Sequence, residues 1–242
     1  MPVVGVFIVG LDVMTVRFAM MHVALLGVAI GLLTGIDPMA CAVALCAVSG
    51  ASLAPLARHR DGLSGPMALL MTGAIAAALL VLSLSGVNAV GAFELLWGSL
   101  LAVRFQELAL IAVLSAVVLS IYVGLRKPLG LMLFDVELAQ CSGVRVEALT
   151  ALLLTVIAVA IAAALPLTGA LLVDSLTLLP ALAARNVARS FGRMIALSVL
   201  FGVLGNGVGF VLAILIDLPP GPILVLSSGM ITLTTFIVRR NR

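Results

Sequence analysis

Long apolar runs separated by short polar stretches dominate the hydropathy pattern of this chain. A bilayer core needs about 20 predominantly apolar residues per helix. We therefore predict spanning helices at 18–34, 38–57, 63–85, 107–125, 148–165, 168–184, 193–216 and 222–238. The opening run, residues 1–11, is too short to cross, and we interpret it as the back half of a truncated first span. The pattern predicts an all-α polytopic transmembrane bundle of eight or nine spans, forming a single domain over residues 1–242.

The polar stretches between the runs predict an orientation. Counting spans places four basic segments on one side, namely Arg58 with Arg60, Arg126 with Lys127 and Arg145, Arg185 with Arg189 and Arg193, and Arg239 with Arg240 and Arg242. Cytoplasmic loops carry the excess of Lys and Arg, so we predict a cytoplasmic C-terminus. The loop at 86–106 then lies outside, and its apolar stretch around Trp97 predicts an interfacial or re-entrant helix.

Composition excludes several classes of protein. Apolar residues make up 64% of the chain and charged residues 10%, against about 45–50% and about 25% in soluble domains. A soluble enzyme, a disordered tail and a nucleic-acid binder are therefore excluded. The sequence contains no GxxxxGK[ST], HExxH, GxSxG or CxxC motif. We expect no nucleotide site of the Walker type, no enzyme activity and no cofactor.

Two ionisable residues lie within predicted spans, His22 and Asp174. An Asp at the centre of a membrane helix costs about 2.5–3.5 kcal/mol, so such residues usually face a cavity or a partner. Imidazole and carboxylate together suit a divalent cation such as zinc or manganese, although two ligands do not define a site. The alternatives are a packing hydrogen bond for Asp174 and an internally bonded neutral His22.

Glycines at four-residue spacing predict close helix packing. Gly27, Gly31 and Gly35 form one such face, and Gly205 and Gly209 form another. Small residues let two membrane helices approach closely, which supplies attraction that lipid does not. These faces either hold the bundle together or slide during gating.

The segment 126–147 is the longest polar stretch, yet its middle is amphipathic. Apolar positions recur at helical spacing, at Phe134, Leu138 and Cys141, with Asp135, Glu137 and Gln140 on the other side. Gly143 is expected to end a helix of about two turns. Such a helix is a docking surface for a soluble partner. The alternative is a helix lying on the membrane, which the acidic residues disfavour.

Five segments together resemble the permease subunit of bacterial ATP-binding-cassette (ABC) importers for zinc, manganese or iron. They are HVALLGVAIGLLTG at 22–35, ELLWGSLLAV at 94–103, FDVELAQCSGVRV at 134–146, LTGALLVDSLTLLPALAARNVARS at 167–190 and LPPGPILVLSSG at 218–229. The resemblance implies two permeases over two copies of a cytoplasmic ABC ATPase, with an extracytoplasmic solute-binding lipoprotein. It also implies that 134–146 is the coupling helix, with Phe134, Asp135, Glu137, Leu138 and Gly143 as its coupling residues.

Several polar residues that are common in the motifs of this family are replaced in this chain. The stretch RFAMMHV retains His22 but has Phe18 at an acidic position, and Thr72 and Ser99 stand where relatives often carry His and Asp. We expect a substrate pathway through His22, Met21, Thr72, Ser99 and Asp174, with His22 and Asp174 as metal ligands. Three interpretations stay open: a rewired ion path, a different substrate, or a defective or divergent copy.

The sequence therefore predicts a permease subunit of the cytoplasmic membrane that moves a divalent metal ion. Its expected partners are the ATPase, the solute-binding protein, a second copy of the chain and membrane lipid, without nucleic acid. The alternatives are a permease for another small solute or a metal chelate, and a membrane scaffold that transports nothing.

Overall fold

A computed structural model of the chain describes residues 1–53, 64–85 and 105–240, which are helical apart from short connections. The helices in these ranges are α1 (Pro2–Gly10), α2 (Met14–Thr34), α3 (Pro38–Leu53), α4 (Ser64–Ser85), α5 (Phe105–Phe134), α6 (Val136–Cys141), α7 (Val146–Val187), α8 (Phe191–Ile216) and α9 (Pro220–Arg240). The predicted all-α class is confirmed for this part of the chain.

Six of the described helical stretches are long and apolar enough to cross a membrane. They are Met14–Thr34, Gly65–Leu84, Ala109–Phe134, Val146–Leu165, Phe191–Ile216 and Pro220–Arg240. The predicted span at 38–57 corresponds to α3, which has 16 residues. The predicted span at 168–184 forms the second part of α7. The chain is a multi-pass membrane protein, whereas a total of eight or nine spans stays a prediction.

Two of the long helices contain a break. In α7 the break lies at Gly169, whose φ of 76° and ψ of 161° are accessible essentially to glycine alone. In α5 it lies at Leu125, with φ −111° and ψ 15°, three residues before Pro128. The ring of a proline clashes with the carbonyl four residues earlier, here that of Gly124, which explains this kink.

The described residues form two compact units, one of residues 13–169 and one of residues 1–12 with 170–242. In the 13–169 unit, α2 packs against α3 and α4. A Cβ atom added at Gly27 would meet the backbone of Ala42, and one added at Gly31 would meet the backbone of Pro38. The close packing predicted for these two glycines is confirmed.

Gly35 differs from the packing role expected of it. An added Cβ would meet nothing within 4 Å, and its φ of 75° is left-handed. Gly35 follows Thr34, the last residue of α2, so it ends the helix. Glycine is common at this position because it adopts positive φ without a steric penalty.

In the unit of residues 1–12 and 170–242, α8 and α9 run antiparallel. Gly205 lies against Ser228, and Gly209 lies against Ser227 and Leu224, which confirms the second predicted glycine face. Helix α1 is buried from Val4 to Val9.

Several sequence predictions lie outside the described residues. These are the interfacial or re-entrant helix around Trp97, the pathway residue Ser99, and the basic residues Arg58, Arg60 and Arg242.

Candidate functional site

His22 is half-buried on α2, and its hydrogen bond determines the tautomer of the neutral imidazole ring. Its Nδ1 lies 2.7 Å from the carbonyl oxygen of Phe18, one turn earlier on the helix. A carbonyl only accepts, so in neutral His22 Nδ1 carries the proton and Nε2 keeps the lone pair. This hydrogen bond agrees with the alternative in which His22 is neutral and bonded within the protein. It also leaves Nε2 in the form in which imidazole binds a metal.

Arg17 is a feature of the same helix that sequence reasoning missed. The predicted span began at residue 18, whereas α2 begins at Met14 and so includes Arg17. The Arg17 side chain is 1% exposed, and its guanidinium carbon lies 4.1 Å from the centroid of the Phe18 ring. Arg17 lies five residues before His22 on this helix, about 7.5 Å along the axis.

Asp174 lies half-buried on α7, five residues after the break at Gly169. Its neighbour in sequence, Ser175, donates from Oγ to Oδ1 of Asn206 at 2.9 Å. Asn206 in turn donates from Nδ2 to the carbonyls of Gly202 at 2.8 Å and of Ser175 at 3.3 Å. Asp174 therefore adjoins a buried polar cluster that ties α7 to α8.

Sequence reasoning also missed Asn206. Its signal is a lone amide within the apolar run at 193–216, since polar side chains inside membrane helices hydrogen-bond across helices.

The remaining pathway residues are placed separately. Thr72 is exposed on α4 and donates to the carbonyl of Ala68 at 2.8 Å, and Met21 is half-buried on α2. A cavity of about 430 Å³ opens between α2, α3 and α4. Its lining is apolar except for Ser49 and Ser52.

The described residues hold no group of three or more His, Cys, Asp or Glu side chains that could bind a metal ion together. His22 and Asp174 belong to different units. The assignment of His22 and Asp174 as metal ligands stays a prediction.

The segment at 134–146 contains the predicted short helix, although it is shorter than expected, at Val136–Cys141. Asp135 caps its start, because its Oδ1 accepts from the backbone N–H groups of Glu137 at 2.9 Å and Leu138 at 3.0 Å. Gly143, with φ 79°, ends it as predicted. The N–H of Val144 donates to the carbonyl of Ala139, and that of Gly143 donates to Gln140, which is a Schellman motif.

The apolar residues of this segment face away from the rest of the chain. Phe134 is 86% exposed and is the last residue of α5 rather than part of α6. Leu138 is 48% exposed, and the buried residue of α6 is Ala139. A helix that packs through one alanine and exposes a large aromatic beside it leaves an apolar surface for another molecule.

Comparison with known proteins was made against families, individual sequences and solved structures. A model of the ABC 3 transport family matches residues 1–239. The chain is similar to a probable metal transport system membrane protein of Thermotoga maritima, 26% identical over 85% of this chain and 73% of that protein. It is also similar to the high-affinity zinc uptake system membrane protein ZnuB of Haemophilus influenzae, 25% identical over 97% and 90%.

Two streptococcal proteins extend this comparison. The manganese import system permease protein ScaB of Streptococcus pneumoniae is 31% identical over 60% of this chain and 52% of that protein. Among solved structures, PsaBC from Streptococcus pneumoniae in complex with Fab superposes with a TM-score of 0.81, covering 97% of this chain and 84% of that chain. The sequence identity to that structure is 22%, so this likeness shows a shared fold.

Proposed function

The chain belongs to the ABC 3 transport family, and from this premise we propose that it is the membrane-spanning permease subunit of an ABC importer for a divalent metal ion. The observation that carries the proposal is the family match over residues 1–239. Zinc and manganese are the first substrates to test, because they appear in the names of the Haemophilus and Streptococcus relatives. Iron is the third.

The ion path is proposed to use single ligands. His22 offers the Nε2 lone pair and Asp174 a half-buried carboxylate, and Met21, Thr72 and Ser99 complete the proposed path. Single ligands bind an ion weakly, which favours its release. The affinity for the metal then resides in the extracytoplasmic solute-binding protein that delivers it.

The energy is proposed to come from a separate cytoplasmic ATPase, since this chain has no Walker motif. The segment 134–146 is the coupling helix, and its exposed Phe134 is the anchor that enters the ATPase. Two copies of the permease sit over two ATPase subunits in the cytoplasmic membrane. ATP-driven closure of the ATPase pair moves the coupling helices and alternates access to the path. The chain itself performs no covalent chemistry.

Metal analysis of cells tests the proposal. Cells that lack their own zinc and manganese importers receive the chain with its ATPase and solute-binding protein, and the metal content is measured by mass spectrometry. We expect zinc or manganese to rise several-fold over cells that lack only this chain. If the content of every divalent metal is unchanged, a divalent metal ion is not the transported substrate.

A second candidate is a permease for another small solute or a metal chelate. It is favoured by the lack of a three-ligand group in the described parts of the chain and by the apolar cavity between α2, α3 and α4. Unchanged metal content together with metal-independent stimulation of the ATPase by this chain would support it. If the metal content is unchanged and the chain does not bind the ATPase, the result would support a membrane scaffold that transports nothing.

The coupling assignment has its own test. Phe134→Asp places a charge where an aromatic anchor enters an apolar groove, so we expect capture of the ATPase by the tagged chain to fall at least about tenfold. Phe134→Leu is the matched control, because it keeps an apolar side chain and is expected to retain most of the capture. Equal capture by the Asp variant and the native chain would show that the anchor lies elsewhere.

A further inference from the structure

We propose that five arginines at one end of the 170–242 unit bind the phosphate group of an anionic phospholipid. All five side chains are exposed, and we refer to them as the arginine cluster: Arg185, Arg189, Arg193, Arg239 and Arg240. The proposal does not depend on which solute the chain transports.

The pairing of α8 with α9 brings two members of the arginine cluster to one level. Gly205 lies against Ser228, and the helices are antiparallel. Arg193 lies twelve positions before Gly205, and Arg240 lies twelve positions after Ser228. Because both helices rise by the same distance per residue, Arg193 and Arg240 lie at the same level at this end of the pair.

The other three arginines are Arg185 on α7, Arg189 in the connection after it, and Arg239 on α9. Asn186 donates from Nδ2 to Oγ1 of Thr235 at 3.3 Å and accepts from Nη1 of Arg239, also at 3.3 Å. The end of α7 therefore touches the end of α9, and Arg185 adjoins this contact in sequence. Arg189 lies in the connection between Val187, where α7 ends, and Phe191, where α8 begins.

Two of the three described acidic side chains in this unit, Asp174 and Asp217, lie away from the arginine cluster. In the described residues of this unit the acidic side chains are Asp12, Asp174 and Asp217. Asp217 follows the opposite end of α8, and Asp174 lies eleven positions before Arg185, about 16 Å along the helix. Guanidinium groups bind phosphate oxygens through paired hydrogen bonds, so a phosphate group fits such a cluster.

An apolar stripe on α9 favours a lipid over an acidic soluble protein. Leu226, Met230, Leu233 and Ile237 lie on one helix face, each between 61% and 68% exposed, and Arg240 continues the same face. The stripe is about 16 Å long, close to half of the roughly 30 Å hydrocarbon core. A phospholipid carries its phosphate directly next to acyl chains of that length. A soluble acidic surface matches the arginines and leaves the stripe uncovered.

The test is lipid binding by the full-length chain, purified in a nonionic detergent and measured by native mass spectrometry. The probes are phosphatidylglycerol and phosphatidylcholine with identical acyl chains. The cluster variant is R189Q/R193Q/R240Q, which spares Arg239 because that side chain holds Asn186. The matched control, R126Q/K127Q/R145Q, removes the same charge from exposed positions of the 13–169 unit.

We expect the cluster variant to lose about tenfold or more of its phosphatidylglycerol affinity and the control less than about twofold, with phosphatidylcholine unchanged. The single R240Q variant, which disturbs the surface least, is expected to lose about fivefold. Excess inorganic phosphate is expected to leave the lipid bound, because it lacks the acyl chains.

Four outcomes would overturn the proposal. If the cluster variant and the control lose equal phosphatidylglycerol affinity, the net charge of the protein alone attracts the lipid. Unchanged affinity in both cluster variants would place the lipid elsewhere. Displacement by inorganic phosphate would identify a free anion site. Normal lipid binding by a cluster variant that no longer captures the ATPase would make the arginines a protein contact.

Discussion

At the scale of single residues, the hydrogen-bond partner of each polar side chain determines its chemistry. The Nδ1 of His22 is committed to a backbone carbonyl of its own helix, so Nε2 is the nitrogen available to an ion. The hydroxyl group of Thr72 donates its hydrogen bond to the carbonyl oxygen of Ala68. Asp174 carries a carboxyl group, which in its ionised form would compensate the charge of a passing cation in a way that a hydroxyl group cannot.

Asp174→Asn is therefore expected to lower metal uptake more than Thr72→Ala. The amide removes the negative charge while keeping the size of the side chain, and we expect at least a fivefold loss of initial uptake rate. Thr72→Ala is expected to stay within about twofold of the native rate, because an exposed hydroxyl bonded to its own helix contributes little. Equal rates in the two variants, at equal amounts of protein in the membrane, would take Asp174 out of the path.

Asn206 is expected to act on stability. Asn206→Leu removes three hydrogen bonds that involve Ser175 and Gly202. Bonds between membrane helices contribute about 0.6 kcal/mol each on average, so we expect a loss of about 1–2 kcal/mol. Titration of unfolding in mixed micelles measures this free energy. Gly207→Ala is the control on the same helix, since an added Cβ there meets nothing within 4 Å, and native stability in the Asn206 variant would contradict the role.

At the scale of elements, α6 shows how a very short helix becomes defined. A helix of 6 residues has little cooperativity of its own. Asp135 satisfies two N–H groups at its start, and Gly143 permits the backbone turn that satisfies two carbonyls at its end. Both devices are local, and this explains why the sequence pattern alone located the element.

Asp135→Ala is expected to weaken the coupling helix specifically. Loss of an N-cap costs about 0.5–2 kcal/mol, which for so short a helix is enough to populate unfolded forms. We expect reduced capture of the ATPase by a factor of about three to ten, with the global unfolding midpoint of the chain unchanged. Asp135→Asn is the matched control, because the amide oxygen also accepts from the N–H groups of Glu137 and Leu138.

The hydropathy pattern placed span boundaries close to the breaks inside α7 and α5, but it did not give their backbone conformation. The predicted spans 148–165 and 168–184 meet just before Gly169, and the predicted span 107–125 ends at Leu125. A glycine in an apolar run is compatible with a regular helix, and the backbone angles at Gly169 depend on packing that sequence spacing does not contain. The burial of Arg17 was missed for a similar reason, because a cation before an apolar run is normally placed at the membrane surface.

At the scale of the whole molecule, the apolar composition and the periodic runs were sufficient to predict an all-helical membrane protein. The number of spans was less accessible, because α3 has 16 residues and length alone does not say whether it crosses. The functional path was least accessible. Its expected ligands His22 and Asp174 are separated by more than 150 positions in the chain and belong to different units.

The orientation of the molecule leads to a further prediction. The basic segments that flank the spans, including Arg126 with Lys127 and Arg239 with Arg240, predict a cytoplasmic C-terminus by the positive-inside rule. A green fluorescent protein fused after residue 242 is expected to fluoresce, and an alkaline phosphatase fused there is expected to be inactive. Active phosphatase with a dark fluorescent fusion would reverse the orientation.

The glycine contacts limit how this protein can diverge. Gly27 faces the backbone of Ala42. Because every residue type has this backbone, no substitution at position 42 can make room for a larger residue at position 27. Gly205 faces the Ser228 hydroxyl oxygen, and there a smaller side chain on the opposite helix can compensate. Paired substitutions are therefore open at the contact of Gly205 with Ser228. They are closed at Gly27 and at Gly209, where an added Cβ would meet the backbone of Leu224.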